Sequence, residues 1–184
     1  MDQWYRTFYK SPIGEIEITG TDKEICSVNF VEGKKAGRAT GLSSALKKCI
    51  NQLDEYFKGK RQIFELMLRL SGTDFQKAVW LTLLGIGHGE TASYQDIARS
   101  IGRPTAVRAV GNTNRLNPIG IIIPCHRIIG ASGALVGYGG GLWRKKWLLE
   151  HERKFLIKTR TASNLGQSHK ILRRAQDKKR EGHK

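Results

Sequence analysis

The sequence predicts an α/β N-terminal domain, a small antiparallel sheet with one helix, followed by a mainly α C-terminal domain with a helix-turn-helix. Three observations carry this expectation. Around Glu15, Ile16, Glu17 and Ile18 polar and apolar residues alternate with the period of a strand. Leu42, Leu46, Cys49, Ile50, Leu53 and Phe57 recur instead at helical spacing, and the run stops at Gly59. Beyond residue 72, Thr73 with Gln76 and Ser93 with Asp96 have the form of helix N-caps opening successive helices.

Taken in order, Trp4, Tyr5, Phe8 and Tyr9 read as a first strand, the alternating run from Ile13 to Ile18 as a second, and Ile25, Val28 and Phe30 as a third. Ser11, Pro12 and Gly14 mark the tight turn between the first two. After the Leu42–Phe57 helix, the apolar residues Ile63, Phe64, Leu66, Leu68 and Leu70 suggest another strand, and Gly72 closes a first domain over 1–72. A second domain over 73–156 starts with the Thr73 helix, whose face carries Phe75, Val79 and Leu83. The Ser93 helix buries Ile97 and Ile101 and ends at Gly102, and Pro104 then starts a helix from Thr105 to about Asn114, which completes the helix-turn-helix outline. Ile121 to Ile123 read as a short buried strand or extended stretch that delivers Cys125 to the interior. A glycine-rich loop from Gly133 to Gly141 leads to a last helix carrying Trp143, Trp147, Leu148, His151 and Phe155. Residues 157–184 are polar, basic and poor in apolar side chains, so a mobile tail is expected.

The 184 residues carry a formal charge of +16. Residues 153–184 hold 11 Lys and Arg against 2 acids, which leaves 21 against 14 in the rest, so the folded part is basic in its own right. Such a balance suits a polyanionic partner, because lysine and arginine at phosphates release condensed counterions. No apolar run approaches the roughly 20 residues a spanning helix needs, and no membrane association is expected. Met1 to Arg6 show neither a basic leader nor an apolar stretch, so an intracellular protein is expected, cytoplasmic or, in a eukaryote, nuclear. Cys26, Cys49 and Cys125 form no CxxC pair and leave an odd number, which fits a reducing compartment. The five histidines are not spaced with them as in a zinc finger, and no metal is expected.

The strongest chemical signal is Pro124, Cys125, His126, Arg127, set between an apolar stretch and a glycine loop, with Glu152 on a later helix. These residues supply a nucleophile, a base and an orienter for that base, parts that would also serve a cysteine hydrolase. The segment Pro124, Cys125, His126, Arg127, Ile128 resembles the active-site signature of the O6-alkylguanine-DNA alkyltransferases, or methylated-DNA-protein-cysteine methyltransferases. Further blocks follow in family order: Phe75, Gln76, Val79, Trp80; Ser93, Tyr94; Arg108, Ala109, Val110, Gly111; Asn117, Pro118; Gly137, Tyr138, Gly140; and Leu148 to Glu152.

The resemblance implies DNA repair by direct, single-turnover alkyl transfer from O6-alkylguanine to Cys125, with O4-alkylthymine left open as a second substrate, by a monomer on double-stranded DNA without an organic cofactor. By similarity, Glu152 orients His126, which takes the Cys125 proton through a bridging water, and Tyr94 offers its hydroxyl to the extruded guanine. Arg108 fills the gap left by the flipped nucleotide, on a helix where Thr105, Ala106, Ala109 and Gly111 approach the minor groove closely. Asn117 ties that helix to the active-site segment, and Pro124, Tyr138 and Gly139 form the base pocket. Gly139 stands where some members carry a serine, which leaves its backbone N–H as donor. Alkyltransferase-like proteins that mark damage without repair lack the acceptor cysteine, and Cys125 argues against that reading.

Overall fold

A computed structural model describes residues 3–31 and 38–156. Three strands, β1 (Tyr5–Ser11), β2 (Gly14–Gly20) and β3 (Ile25–Phe30), form an antiparallel sheet in sequence order. The register pairs Phe8 with Glu17 and Ile18 with Val28, so the alternating face of β2 sends Ile16 and Ile18 into the core. Helix α1 (Ser44–Phe57) covers that face with Leu46, Cys49, Leu53 and Tyr56. Ser43 caps it by accepting from the Leu46 N–H at 3.3 Å, and its own hydroxyl donates to the Thr21 carbonyl at 2.8 Å, pinning the helix start to the end of β2. Leu42, read as part of the apolar stripe, lies before the cap and is exposed.

Two segments differ from expectation. The apolar run 63–70 is not a strand: it makes one parallel bridge, Leu68 with Ile25, where the Ile25 N–H donates to Met67 and the Arg69 N–H to Ile25. Ile63 and Met67 face solvent, and the Gln52 side chain serves the Glu65 backbone, accepting from its N–H at 2.8 Å and donating to its carbonyl at 3.3 Å. A side-chain amide here takes the place of a neighbouring strand. The stretch Ile121–Ile123 is likewise not extended. Ile121 has φ 69°, and the Ile122 and Ile123 N–H groups donate back to Gly120 and Ile119, so the chain coils tightly before Cys125.

The second half is helical. Helix α2 (Asp74–Leu83) and helix α3 (Tyr94–Ser100) both open with complete capping boxes, at Thr73 and Gln76 and at Ser93 and Asp96. Gly102, with φ 69°, ends α3. Helix α4 (Val107–Arg115) starts two residues later than expected, because Pro104 and Thr105 lie in a turn whose Pro104 carbonyl accepts from Gln95 at 2.9 Å. A short 3-10 turn, Cys125–Arg127, leads into β5 (Ile128–Ile129), which pairs in parallel with β4 (Ala92–Ser93). Helix α5 covers residues 142–156. It packs against the first half at Gly59, where a Cβ would run into the Phe155 ring. No helix among the described residues is long and apolar enough to cross a membrane. The expected mobile tail, 157–184, lies outside the described residues.

Candidate active site

Cys125 is 5% exposed and held from three sides. Asn117 donates from its side chain to the Ile123 carbonyl at 2.8 Å and accepts from the Ile119 N–H at 3.0 Å, closing the loop that precedes the cysteine. Asn114, in the last turns of α4, donates to the Cys125 carbonyl at 3.3 Å. From the sheet, the Val28 N–H donates to Pro118 and the Gly120 N–H to Val28, both at 2.9 Å. A β-branched residue at positive φ, as at Ile121, costs on the order of 1–3 kcal/mol. This network opposes that cost and holds Cys125 at a cavity lined by residues of both halves. The pairing of Ala92 with Ile128 sets the start of α3, and so Tyr94, beside the same segment.

His126 is fully buried, and its Nε2 lies 2.8 Å from Glu152 Oε1. The other ring nitrogen, Nδ1, is buried with no hydrogen-bond partner among the described residues, and is therefore the atom open to a proton relay. Glu152 is the hub. Besides His126 it accepts from Arg127 Nε and Nη2 at 2.9 Å each, from the Tyr56 hydroxyl at 2.9 Å and from the Gly89 N–H at 2.9 Å. Burial by itself raises a carboxyl pKa, but His126 and Arg127 outweigh it and hold Glu152 well below the usual carboxylate range. Burial lowers the His126 pKa while Glu152 pulls it back. For the Cys125 thiol burial pushes upward, and a hydrogen bond with Asn117 and the Lys145 ammonium pull downward. Both net shifts favour the uncharged forms, a thiol at Cys125 and a neutral imidazole at His126, which suits base-assisted attack by sulfur.

Tyr94 is half-buried and its hydroxyl donates to the Val136 carbonyl at 3.0 Å. The same carbonyl accepts from Lys145 Nζ at 2.6 Å, and Gly137 accepts from that ammonium at 3.3 Å. Lys145 is fully buried, and desolvation lowers its pKa to about 8 against the opposing pull of Cys125. A cavity of about 130 Å³ opens beside Cys125, lined by Phe30, Arg115, Gly120, Tyr138 and Gly139 among others. Pro124, expected in the same pocket, is buried next to the cysteine and does not line this cavity.

The residues expected to meet DNA lie at the start of α4 and along it, some exposed and some half-buried. Thr105, Arg108 and Ala109 are exposed, Ala106 caps α4, and Arg108 forms no ion pair among the described residues. Gly111 lies against Tyr94: a Cβ there would sit 3.7 Å from the Tyr94 ring, in ordinary contact. Arg127, from the same sequence signature as Cys125 and His126, pairs with Glu152. Sequence reasoning missed Tyr56, Gly89 and Lys145. Tyr56 follows Cys49 and Leu53 at helical spacing and reads as one more core aromatic. Lys145 had a usable signal, standing seven residues before Glu152 on one helix face.

Residues 4–70 match the family described as 6-O-methylguanine DNA methyltransferase, ribonuclease-like domain, and residues 74–154 match its DNA binding domain. The chain is 45% identical over 156 residues to the methylated-DNA-protein-cysteine methyltransferase of Methanosarcina barkeri, covering 83% of this chain and 99% of that protein. It is 47% identical over 152 residues to the protein of that name from Mycobacterium tuberculosis, covering 81% and 92%. Among solved structures, the Mycobacterium tuberculosis O6-methylguanine methyltransferase superposes with a TM-score of 0.75 at 43% identity, covering 83% of this chain and 94% of that one. The Mycobacterium tuberculosis OGT in complex with DNA gives 0.75 at 46% identity, with 80% and 92% covered.

Proposed function

This chain belongs to the 6-O-methylguanine DNA methyltransferase family, and we propose that it repairs DNA by moving the alkyl group of an O6-alkylguanine to the sulfur of Cys125. The observation that carries the reading is the buried His126–Glu152 pair, whose histidine follows the buried Cys125 directly in the chain. His126 Nδ1 takes the thiol proton, through a bridging water in keeping with the family resemblance, while Glu152 fixes the ring and stabilises the imidazolium as it forms. The sulfur then attacks the alkyl carbon. The new S–C bond forms as the O6–C bond breaks, and the electron pair of that bond stays on guanine. Tyr94 donates to the base edge as charge develops there, exchanging its bond to Val136 for one to the nucleobase. In net terms the thiol proton ends on guanine and the alkyl group on Cys125.

The target atom lies inside the duplex, so the nucleotide is flipped out. In this reading α3 and α4 act as a helix-turn-helix, Arg108 enters the stack in its place, and Thr105, Ala106, Ala109 and Gly111 allow α4 to approach the minor groove. Asn117 acts as the tie between α4 and the cysteine loop. Tyr138 and Gly139 flank the base, with the Gly139 N–H as donor, and Pro124 supports the pocket floor from within. The protein acts as a monomer on double-stranded DNA, and its division into a domain over 1–72 and a domain over 73–156 belongs to the same proposal. O4-alkylthymine is a second substrate for the same cavity.

The test is incubation with a duplex oligonucleotide containing O6-methylguanine, followed by intact mass and peptide mapping. One methyl group on the peptide containing Cys125 supports the reading. Unmodified protein, with the lesion intact, overturns it.

A further inference from the structure

Arg144 is only 6% exposed, although it stands on the helix that also carries Lys145 and Glu152. Its side chain runs toward the sheet. Nε donates to the Ile13 carbonyl at 2.8 Å, in the turn between β1 and β2, and Nη1 donates to the Gly140 carbonyl at 2.8 Å. The guanidinium carbon lies 4.5 Å from the ring centroids of both Phe30 and Trp143, between the end of β3 and the start of α5. One side chain thus touches the hairpin, the third strand and the glycine loop. A lysine cannot reproduce this, since it lacks the flat face and the fork of donors.

Two of these partners, Phe30 and Gly140, line the cavity beside Cys125. They are packed without slack: a Cβ on Gly140 would come within 2.9 Å of both the Phe30 and the Tyr138 rings. The cavity volume of about 130 Å³ is close to that of an apolar cavity that accepts an aromatic ring. We propose that Arg144 is a positioning residue that fixes the Phe30–Gly140–Tyr138 wall and thereby sets how large an alkyl group Cys125 accepts. The inference rests on the alkyl-transfer reading above. The wall flanks the guanine of either substrate, but a benzyl group adds a ring that must also find room against it, so a displaced wall costs the bulky substrate more.

The experiment compares single-turnover rates on duplex oligonucleotides carrying O6-methylguanine or O6-benzylguanine, for wild type, Arg144→Lys, Arg144→Met and Phe30→Ala, with iodoacetamide labelling of Cys125 as a measure of the thiol itself. In Arg144→Met the benzyl-to-methyl rate ratio falls about tenfold, the discrimination a small change in an apolar pocket produces, while methyl transfer falls less and thiol labelling stays near wild type. Arg144→Lys shows the same fall. Phe30→Ala moves the ratio in the same direction and, combined with Arg144→Met, adds little, because both act on one wall. If Arg144→Met does not fold, Arg144→Lys carries the test. Equal loss on both substrates, or an unchanged ratio, overturns the proposal. Wild type that accepts methyl but no benzyl overturns this inference alone, and wild type that accepts neither overturns the alkyl-transfer reading.

Discussion

The Tyr56 hydroxyl donates to Glu152 Oε1 at 2.9 Å across 96 residues of sequence. Through this bond α1, which covers the N-terminal sheet, touches the carboxylate that orients His126. The contact ties the first half of the chain to the proposed reactive centre.

Tyr56→Phe keeps the ring in the core and removes only this donor. A hydrogen bond to a charged group contributes about 1.5–3 kcal/mol, so stability should fall by that order. Alkyl transfer should slow by roughly tenfold, as Glu152 loses part of its hold on His126. The acid limb reports the carboxylate. Its folded pKa is lowered from 4.5, so its contribution is fully present above that value and is lost as pH falls below it toward the folded pKa. Glu152→Gln should flatten the stability profile in this window, as read by urea unfolding between pH 3 and 6. A variant as steep as wild type would remove Glu152 as the source.

Lys145 contributes a buried positive charge that favours the Cys125 thiolate. Lys145→Met should raise the thiol pKa and slow iodoacetamide labelling at neutral pH severalfold. Its own titration has the opposite sign to that of Glu152. Desolvation lowers the folded pKa to about 8 from 10.5, so between these values the unfolded chain binds more protons and stability should rise with pH. Lys145→Met should lack that rise. Thermal melts of both proteins between pH 7.5 and 10.5 check it, and parallel curves would contradict the assignment.

What the sequence revealed, and what it hid, follows from the range of each interaction. Capping boxes at Thr73 and Ser93 and the alternation of β2 are local, and both formed as read. The Cys125, His126 and Glu152 set was legible from residue types and family resemblance, and the structure joins His126 to Glu152 directly. Errors arose where distant groups decide. Residues 63–70 have a strand's apolar content, but Gln52 satisfies the Glu65 backbone and Ile63 and Met67 stay outside. Three consecutive isoleucines suggested an extended run. Bonds from Asn117 and β3 instead force Ile121 into the left-handed region, which no local preference of isoleucine predicts. Tyr56 and Lys145 were missed because helical spacing identifies a face and not what a terminal polar atom will meet.

Arg108→Ala tests the flipping role. Arg108 is exposed and has no ion pair among the described residues, so the fold should be unaffected and the melting temperature should stay near wild type. Unstacking a base costs a few kcal/mol, part of which an inserted side chain offsets. Repair of a duplex lesion should therefore slow by about one to two orders of magnitude, while reaction with free O6-benzylguanine changes little. Equal loss on both substrates would assign Arg108 to the site or the fold.

The stoichiometry separates self-alkylation from any mechanism that turns over. Once Cys125 carries an alkyl chain its sulfur is a thioether, with no proton to lose and no good leaving group, and neither His126 nor Glu152 can regenerate a thiolate from it. Burial deepens the trap, since Cys125 is 5% exposed and held by the loop that Asn117 closes. With lesion DNA in excess, product should plateau at one equivalent per active protein, and the added mass should map to the peptide holding Cys125. Cys125→Ser should abolish transfer and retain DNA binding, because a hydroxyl of much higher pKa cannot supply the anion that a neutral histidine can draw from a thiol. Cys49 is the useful control: it is also buried, and burial pushes its pKa up to about 12 with no partner pulling it down. Folded Cys49→Ser should reach the full plateau. Product beyond one equivalent, or an alkyl group found on any other residue, would refute self-alkylation at Cys125 even in a protein that binds damaged DNA.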